Sequence, residues 1–247
     1  AMMHKNNVIG FVTDIGGKTS HTAIMAKSLE IPAVVGLEVG TEKIKNEDTV
    51  IVDGSSGVVI VSPDPETLKK YEVREEKIRG LSENLVALKD LPAQTLDGKL
   101  VTLAANIEFP EEVPSVLLHG ADGVGLYRTE FFYMNRKDLP TEDEQYEVYK
   151  SLAVTFKDKP VIVRTLDLGG DKFISTFNLP KEMSPFMGWR AIRFCIARPD
   201  IFKTQLRAIL RASAHGNLKI MFPMISGVEE LRRAKAILEE VKGELRD

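Results

Sequence analysis

The sequence predicts an α/β protein built as two bodies joined by a helix, and three observations carry that expectation. β-branched runs at residues 8–14 and 50–61 flank a short helical stretch. Residues 66–89 are charge-rich but repeat apolar side chains at helical spacing. After Leu91-Pro92, apolar runs of strand length alternate with helical stretches, the pattern of a parallel sheet.

Taken in order, the first strand, residues 8–14, leads into GGKTSHTAIMAKSLEIPAVVG at residues 16–36. Residues 22–30 read as a helix, with Ile24 and Leu29, the following Ile31 and small Ala23 and Ala26 as a packing face, and Pro32 as its stop. The run 50–61 is broken by Asp53-Gly54-Ser55-Ser56-Gly57, which is hairpin chemistry. Pro63-Asp64-Pro65 closes the first body, so its boundary falls at residue 64 and a linker helix occupies 65–91. Leu68, Tyr71, Ile78, Leu81, Leu85 and Leu88 share one face of that helix, and its charges form a solvated face. From residue 92 to 247 the strands are 100–107, 123–128, 161–167 and 218–225, and the helices 111–119, 141–156, 186–215 and 228–246. Strands this apolar imply a sheet covered on both faces or closed as a barrel.

Composition excludes several classes of function. A net charge of −3 and a pI near 5.9 leave no basic footprint for nucleic acid. A single cysteine, Cys195, rules out an internal disulfide framework and fits a reducing compartment. No apolar stretch approaches the ~20 residues of a membrane span. Residues 2–5 are not followed by the apolar core of a signal peptide, so no membrane insertion and a cytoplasmic location are expected.

Two places carry chemistry. Gly16 and Gly17 let the backbone approach a ligand, and Thr19, Ser20 and Thr22 supply short hydroxyl donors and N-caps. His21 then stands at a helix start, where free N–H groups favour a phosphate and disfavour imidazolium. A neutral imidazole in an anion-binding nest is a nucleophile for phosphorus. On the residues alone, a helix-terminal His bonded to a carbonyl remains open. The second place is the C-terminal end of the sheet, where ligands bind in parallel α/β folds and where Asn106, Arg128 and Arg164 fall. Arginine presents a planar fork that matches phosphate or carboxylate, although either arginine alone could equally be a strand-end ion pair.

The segment around His21 resembles the phosphohistidine signature of the phosphoenolpyruvate-utilising enzymes. Among their branches, Thr19-Ser20-His21-Thr22 followed by Ile-Met-Ala-Lys is most similar to enzyme I of the sugar phosphotransferase system. GVGLYRTEF at 123–131, VIVRTLDLGGDK at 161–172, GWRAIR at 188–193 and MFPM at 221–224 are similar to its phosphoenolpyruvate-binding barrel. The resemblance implies part of a swivelling β/β/α phosphohistidine domain over 1–64 and the first half of a (β/α)8 barrel over 92–247. It implies that His21 carries the phosphoryl group and that Arg128 and Arg164 grip the substrate phosphate, with Lys172 and Arg190 beside them. It also implies phosphoenolpyruvate as substrate, Mg2+ as cofactor, the phosphocarrier protein HPr as partner and a homodimer. The family's HPr-docking helical domain, metal carboxylates and proton-donating cysteine match nothing here, so the chain reads as an internal fragment unable to turn over substrate by itself. A phosphoenolpyruvate synthase or pyruvate phosphate dikinase fragment, or a non-catalytic phosphocarrier scaffold, are the alternatives. Cys195 is expected to pack, and His4, His119 and His215 to be structural or exposed. Glu130, Asp167 and Asp171 could hold a metal by type, although the family does not use them so.

Overall fold

A computed structural model describes residues 8–17, 23, 26, 30–133, 136, 138–168 and 188–246. Thr19, Ser20, His21, most of the expected helix 22–30, Asp171 and Lys172 lie outside the described residues. The chain divides into two units, residues 1–90 and 91–247.

In the first unit, β1 (Phe11–Thr13) runs parallel to β2 (Ala33–Val35), with Phe11 opposite Ala33 and Thr13 opposite Val35. The strand β2 was not anticipated. Its three residues are too short a run to read as a strand, and pairing with β1 is what makes them one. A single helical turn, α1 (Gly40–Lys43), is tied back by Asp14, whose carboxylate accepts from Gly40 N at 2.5 Å and from Thr41 N at 3.1 Å. The expected hairpin forms as β3 (Val50–Asp53) and β4 (Val58–Val61), antiparallel, with Val50 opposite Val61. Asp53 organises its turn, accepting from Ser55 Oγ and Ser56 Oγ at 2.6 Å each, and from Arg74 Nη1 at 2.7 Å. Those hydroxyls hold its carboxyl far below the usual carboxylate range.

The linker helix is α2 (Pro65–Ala87), with Asp64 as N-cap accepting from Thr67 N at 2.7 Å and proline at the first position. Its apolar side stays open: no residue of α2 is buried, and Leu81 and Leu85 are 61% and 55% exposed.

In the second unit, β5 (Ala105–Ile107), β6 (Val124–Tyr127), β7 (Val161–Arg164) and β8 (Leu218–Met221) form one parallel sheet in chain order. The first strand is shorter than the expected 100–107. Val101 N donates to Ala93 O at 2.8 Å and Leu103 N to Asp122 Oδ2 at 2.7 Å, so these donors are spent away from the ladder. A 3-10 turn (Pro110–Glu112) runs into α3 (Val113–Leu118). The next helix, α4 (Glu142–Phe156), starts on a capping box of Thr141 and Glu144. One helix was expected over 186–215, but two form: α5 (Ile192–Ala197) and α6 (Pro199–Ser213). They part at Arg198 (φ −122°, ψ 69°), because the Pro199 ring excludes helical backbone at the residue before it. The last helix is α7 (Val228–Glu244).

The sheet alternates rather than being apolar and buried throughout. Val161 and Val163 are fully buried in a core with Leu152 and Phe156 of α4 and Phe202, Leu206 and Ile209 of α6, while Ile162 and Arg164 between them are half-buried. One face is therefore packed under helices and the other carries the polar strand-end residues.

Close approach of β6 to β7 requires a glycine. At Gly123 φ is +153° and an added Cβ would lie 2.4 Å from Pro160 O, a backbone atom that also accepts from Val124 N at 2.8 Å. Gly123→Ala is expected to destabilise the second unit by about 2–4 kcal/mol, from steric overlap and positive-φ strain together. Urea unfolding followed at Trp189 reads this, and an unchanged midpoint would contradict the strand pairing.

Candidate functional site

The ends of β5, β6 and β7 bring the expected arginines to one edge of the sheet. Arg164 is the last residue of β7, and Arg128 directly follows β6, its N–H bonded to Ile107 O of β5 at 2.9 Å. Thr129, next in sequence, donates from Oγ1 to Arg164 O at 3.0 Å, which stitches the two loops together. Arg190 enters from the segment before α5. Its position is held by Ala191, which has a positive φ of 51° and bonds to Leu168 O at 3.3 Å.

Each arginine is paired with a carboxylate. Arg164 donates to Glu130 at 2.9 Å and lies 3.1 Å from Asp167. Arg190 reaches the other oxygen of Asp167 at 3.2 Å, so that one carboxylate joins Arg164 to Arg190. Arg128 stands 3.6 Å from Glu108. The strand-end ion pairs left open by the sequence are thus present. They do not exhaust the arginines: Nε of Arg128, Arg164 and Arg190 is buried in each case, with no hydrogen-bond partner among the described residues. A buried N–H donor without an acceptor is costly, and three at one edge fit an anion. Burial pushes the Glu130 carboxyl upward, and Arg164 pulls against that shift.

Among the described residues no three His, Cys, Asp or Glu side chains gather to hold a metal ion. Glu130 and Asp167 are taken up by arginines instead, and Asp171 is not described. The described residues therefore do not fit a magnesium site. Lys172, His21, Thr19 and Ser20 cannot be placed, since they lie outside the described residues. Of the loop glycines, Gly16 has a φ of +125°, and its carbonyl comes so close to Gly36 that a Cβ there would sit 2.9 Å away.

Cys195 packs as expected. It is fully buried, 3.9 Å from Leu166 O, with its thiol pushed up to about 12 by burial. His215 bonds Tyr146 OH at 3.1 Å and His119 bonds Ser115 O at 2.8 Å, both structural contacts. The sequence reading missed Gln205, Tyr149 and Gln145, a buried polar cluster behind the arginine loops. A signal was available for Gln205, which interrupts the apolar face of α6 between Phe202 and Leu206.

Comparison with known proteins gives two family matches. Residues 82–247 match the PEP-binding domain of PEP-utilising enzymes, and residues 1–57 their mobile domain. The chain is similar to a phosphoenolpyruvate-protein phosphotransferase of Bacillus sp. (strain S), 55% identical over 98% of this chain and 42% of that protein. The protein of the same name from Bacillus subtilis (strain 168) is 54% identical over 99% of this chain and 43% of its own length. That from Staphylococcus carnosus (strain TM300) is 51% identical over all of this chain and 43% of its own. The chain thus spans under half the length of these relatives. A solution structure of an Enzyme I (nEIt) protein shares 57% identity over 31% of each chain, with a TM-score of 0.30, too low to bear on the fold.

Proposed function

The chain belongs to the phosphoenolpyruvate-utilising enzymes, and from that membership we propose that it carries the phosphoryl-accepting histidine and part of the substrate site of a phosphoenolpyruvate-protein phosphotransferase. In this reading residues 1–64 belong to the phosphohistidine domain, 65–91 form the linker and 92–247 the first half of a substrate-binding barrel. The half-buried face with Ile162 and Arg164 is then the barrel's interior. The observation that carries the proposal is the set of three arginines at one sheet edge, each with a buried Nε–H that meets no acceptor among the described residues.

The substrate phosphate would take the donors of Arg128 and Arg164. Arg128 and Arg164 grip it from neighbouring strand ends, and Arg190 supports it through Asp167. Lys172 and the loop of Gly16, Gly17, Thr19 and Ser20 belong to the same proposal on sequence alone. The phosphorus–oxygen bond to the enol breaks as a bond from a ring nitrogen of His21 forms, and the enolate leaves to be protonated to pyruvate. The phosphoryl group then passes to HPr. Magnesium neutralises charge on the bound substrate in the resemblance, and the described residues offer it no ligand set. A cytoplasmic homodimer completes the reading, and gel filtration with light scattering measures the mass of the particle.

Calorimetry with phosphoenolpyruvate tests the proposal. Arg128→Ala is expected to weaken binding at least tenfold, since a charge-assisted contact to phosphate is worth roughly 1.5–3 kcal/mol. Equal affinity of the variant would remove Arg128 from the site. The names of the relatives favour this reading over a synthase or dikinase.

A further inference from the structure

Gln205 sits on the buried face of α6, 1% exposed, behind the arginine loops. Its amide oxygen accepts from Leu166 N at 3.0 Å. Its amide nitrogen donates to Thr129 Oγ1 at 3.0 Å and to Tyr149 OH at 3.3 Å. Thr129 adjoins Arg128, while Leu166 lies two residues beyond Arg164 and immediately before Asp167. One side chain from a helix therefore bonds to both segments that bear the phosphate-gripping residues.

The partners dictate what this position must supply. Thr129 Oγ1 has given its hydrogen to Arg164 O, and Tyr149 OH has given its own to Gln145 Oε1. Both oxygens thus need a donor, whereas Leu166 N needs an acceptor. A primary amide offers two donors and an acceptor and satisfies all three. A carboxylate offers acceptors alone, a carboxylic acid one donor and one acceptor, and a methionine of similar volume no donor and only a weak sulfur acceptor.

We infer that Gln205 is a positioning residue for the arginine site: by joining the end of β7 to the loop after β6, it sets the separation at which Arg128 and Arg164 meet a phosphate-bearing ligand. Small displacements of such groups have large effects on recognition, because both guanidinium groups must meet one phosphate at once. The inference rests on the reading of the site given above, and the test separates the two.

The experiment uses the chain with Gln205→Met and Gln205→Glu. The Nε–H signals of Arg128 and Arg164 are recorded by nitrogen-15 NMR without ligand, and phosphoenolpyruvate binding is measured by calorimetry. In Gln205→Met both Nε–H signals are expected to shift while that of Arg193, held by Glu230 at 2.8 Å, stays in place. Binding should fall about tenfold. In Gln205→Glu the affinity relative to wild type at the same pH should recover as pH falls, because a buried carboxyl is protonated well above its usual range and the acid regains a donor. Gln205→Met should show no such recovery. Trp189 dichroism checks folding, and if Gln205→Met does not fold, the pH profile of Gln205→Glu decides. Unmoved Arg128 and Arg164 signals, or a Gln205→Glu profile parallel to wild type, would overturn the inference. Failure of the wild type to bind phosphoenolpyruvate would sink the functional reading instead, and the ligand-free spectra would still judge Gln205.

Discussion

Replacing His21 by alanine is expected to abolish phosphoryl uptake by the chain. The wild-type chain, given phosphoenolpyruvate, magnesium and a complete phosphoenolpyruvate-binding domain in trans, should gain one acid-labile phosphoryl group. The expectation stands on the sequence around it: Gly16 and Gly17 would let the backbone approach a ligand, Thr19 and Ser20 would supply donors, and a helix starting at His21 would favour phosphate over imidazolium. The imidazole nitrogen is the only group in that stretch with nucleophilicity suited to phosphorus at neutral pH. Its loss is all-or-none, unlike the loss of a binding contact. Intact-mass measurement before and after acid reads the outcome, and labelling that survives His21→Ala would move the carrier role elsewhere.

The second large effect is the absence of turnover. The chain alone is expected to release pyruvate from phosphoenolpyruvate at least a thousandfold more slowly than a full-length relative. Among the described residues no ligand set exists for the magnesium that would neutralise the substrate, and the three site arginines already face Glu108, Glu130 and Asp167. Losing that neutralisation costs several kcal/mol of barrier, and about 4 kcal/mol is a thousandfold in rate. A coupled pyruvate assay measures it. Turnover at the rate of the intact relative would mean that the charge is neutralised within this chain.

Much of this arrangement was legible because local chemistry agrees with it. The Asp53–Gly57 turn forms the hairpin its composition demands. The Thr141 capping box starts α4, and the apolar runs pair in chain order with Arg128 and Arg164 at the strand ends. The misses have physical causes. Arg198 reads as helical by periodicity, yet the following Pro199 forbids it, and β2 gains its identity from pairing with β1 rather than from its own residues. Of the arginines' carboxylate partners, Glu130 and Asp167 read from the sequence only as conceivable metal ligands and Glu108 does not stand out at all, because sequence gives residue type and not the neighbour across a loop. Gln205 stands out as a polar break in an apolar helix face, but its role was hidden for the same reason: its three partners lie 39, 76 and 56 residues away.

The central claim is that the arginine-lined edge of the sheet receives the phosphate of phosphoenolpyruvate. A crystal structure of the chain soaked with that ligand tests it most directly. The account expects the phosphate to lie within hydrogen-bond distance of both Arg128 and Arg164, with the buried Nε–H groups directed at its oxygens. A ligand bound elsewhere, with Arg128 still facing Glu108 and Arg164 still held by Glu130 and Asp167, would contradict it.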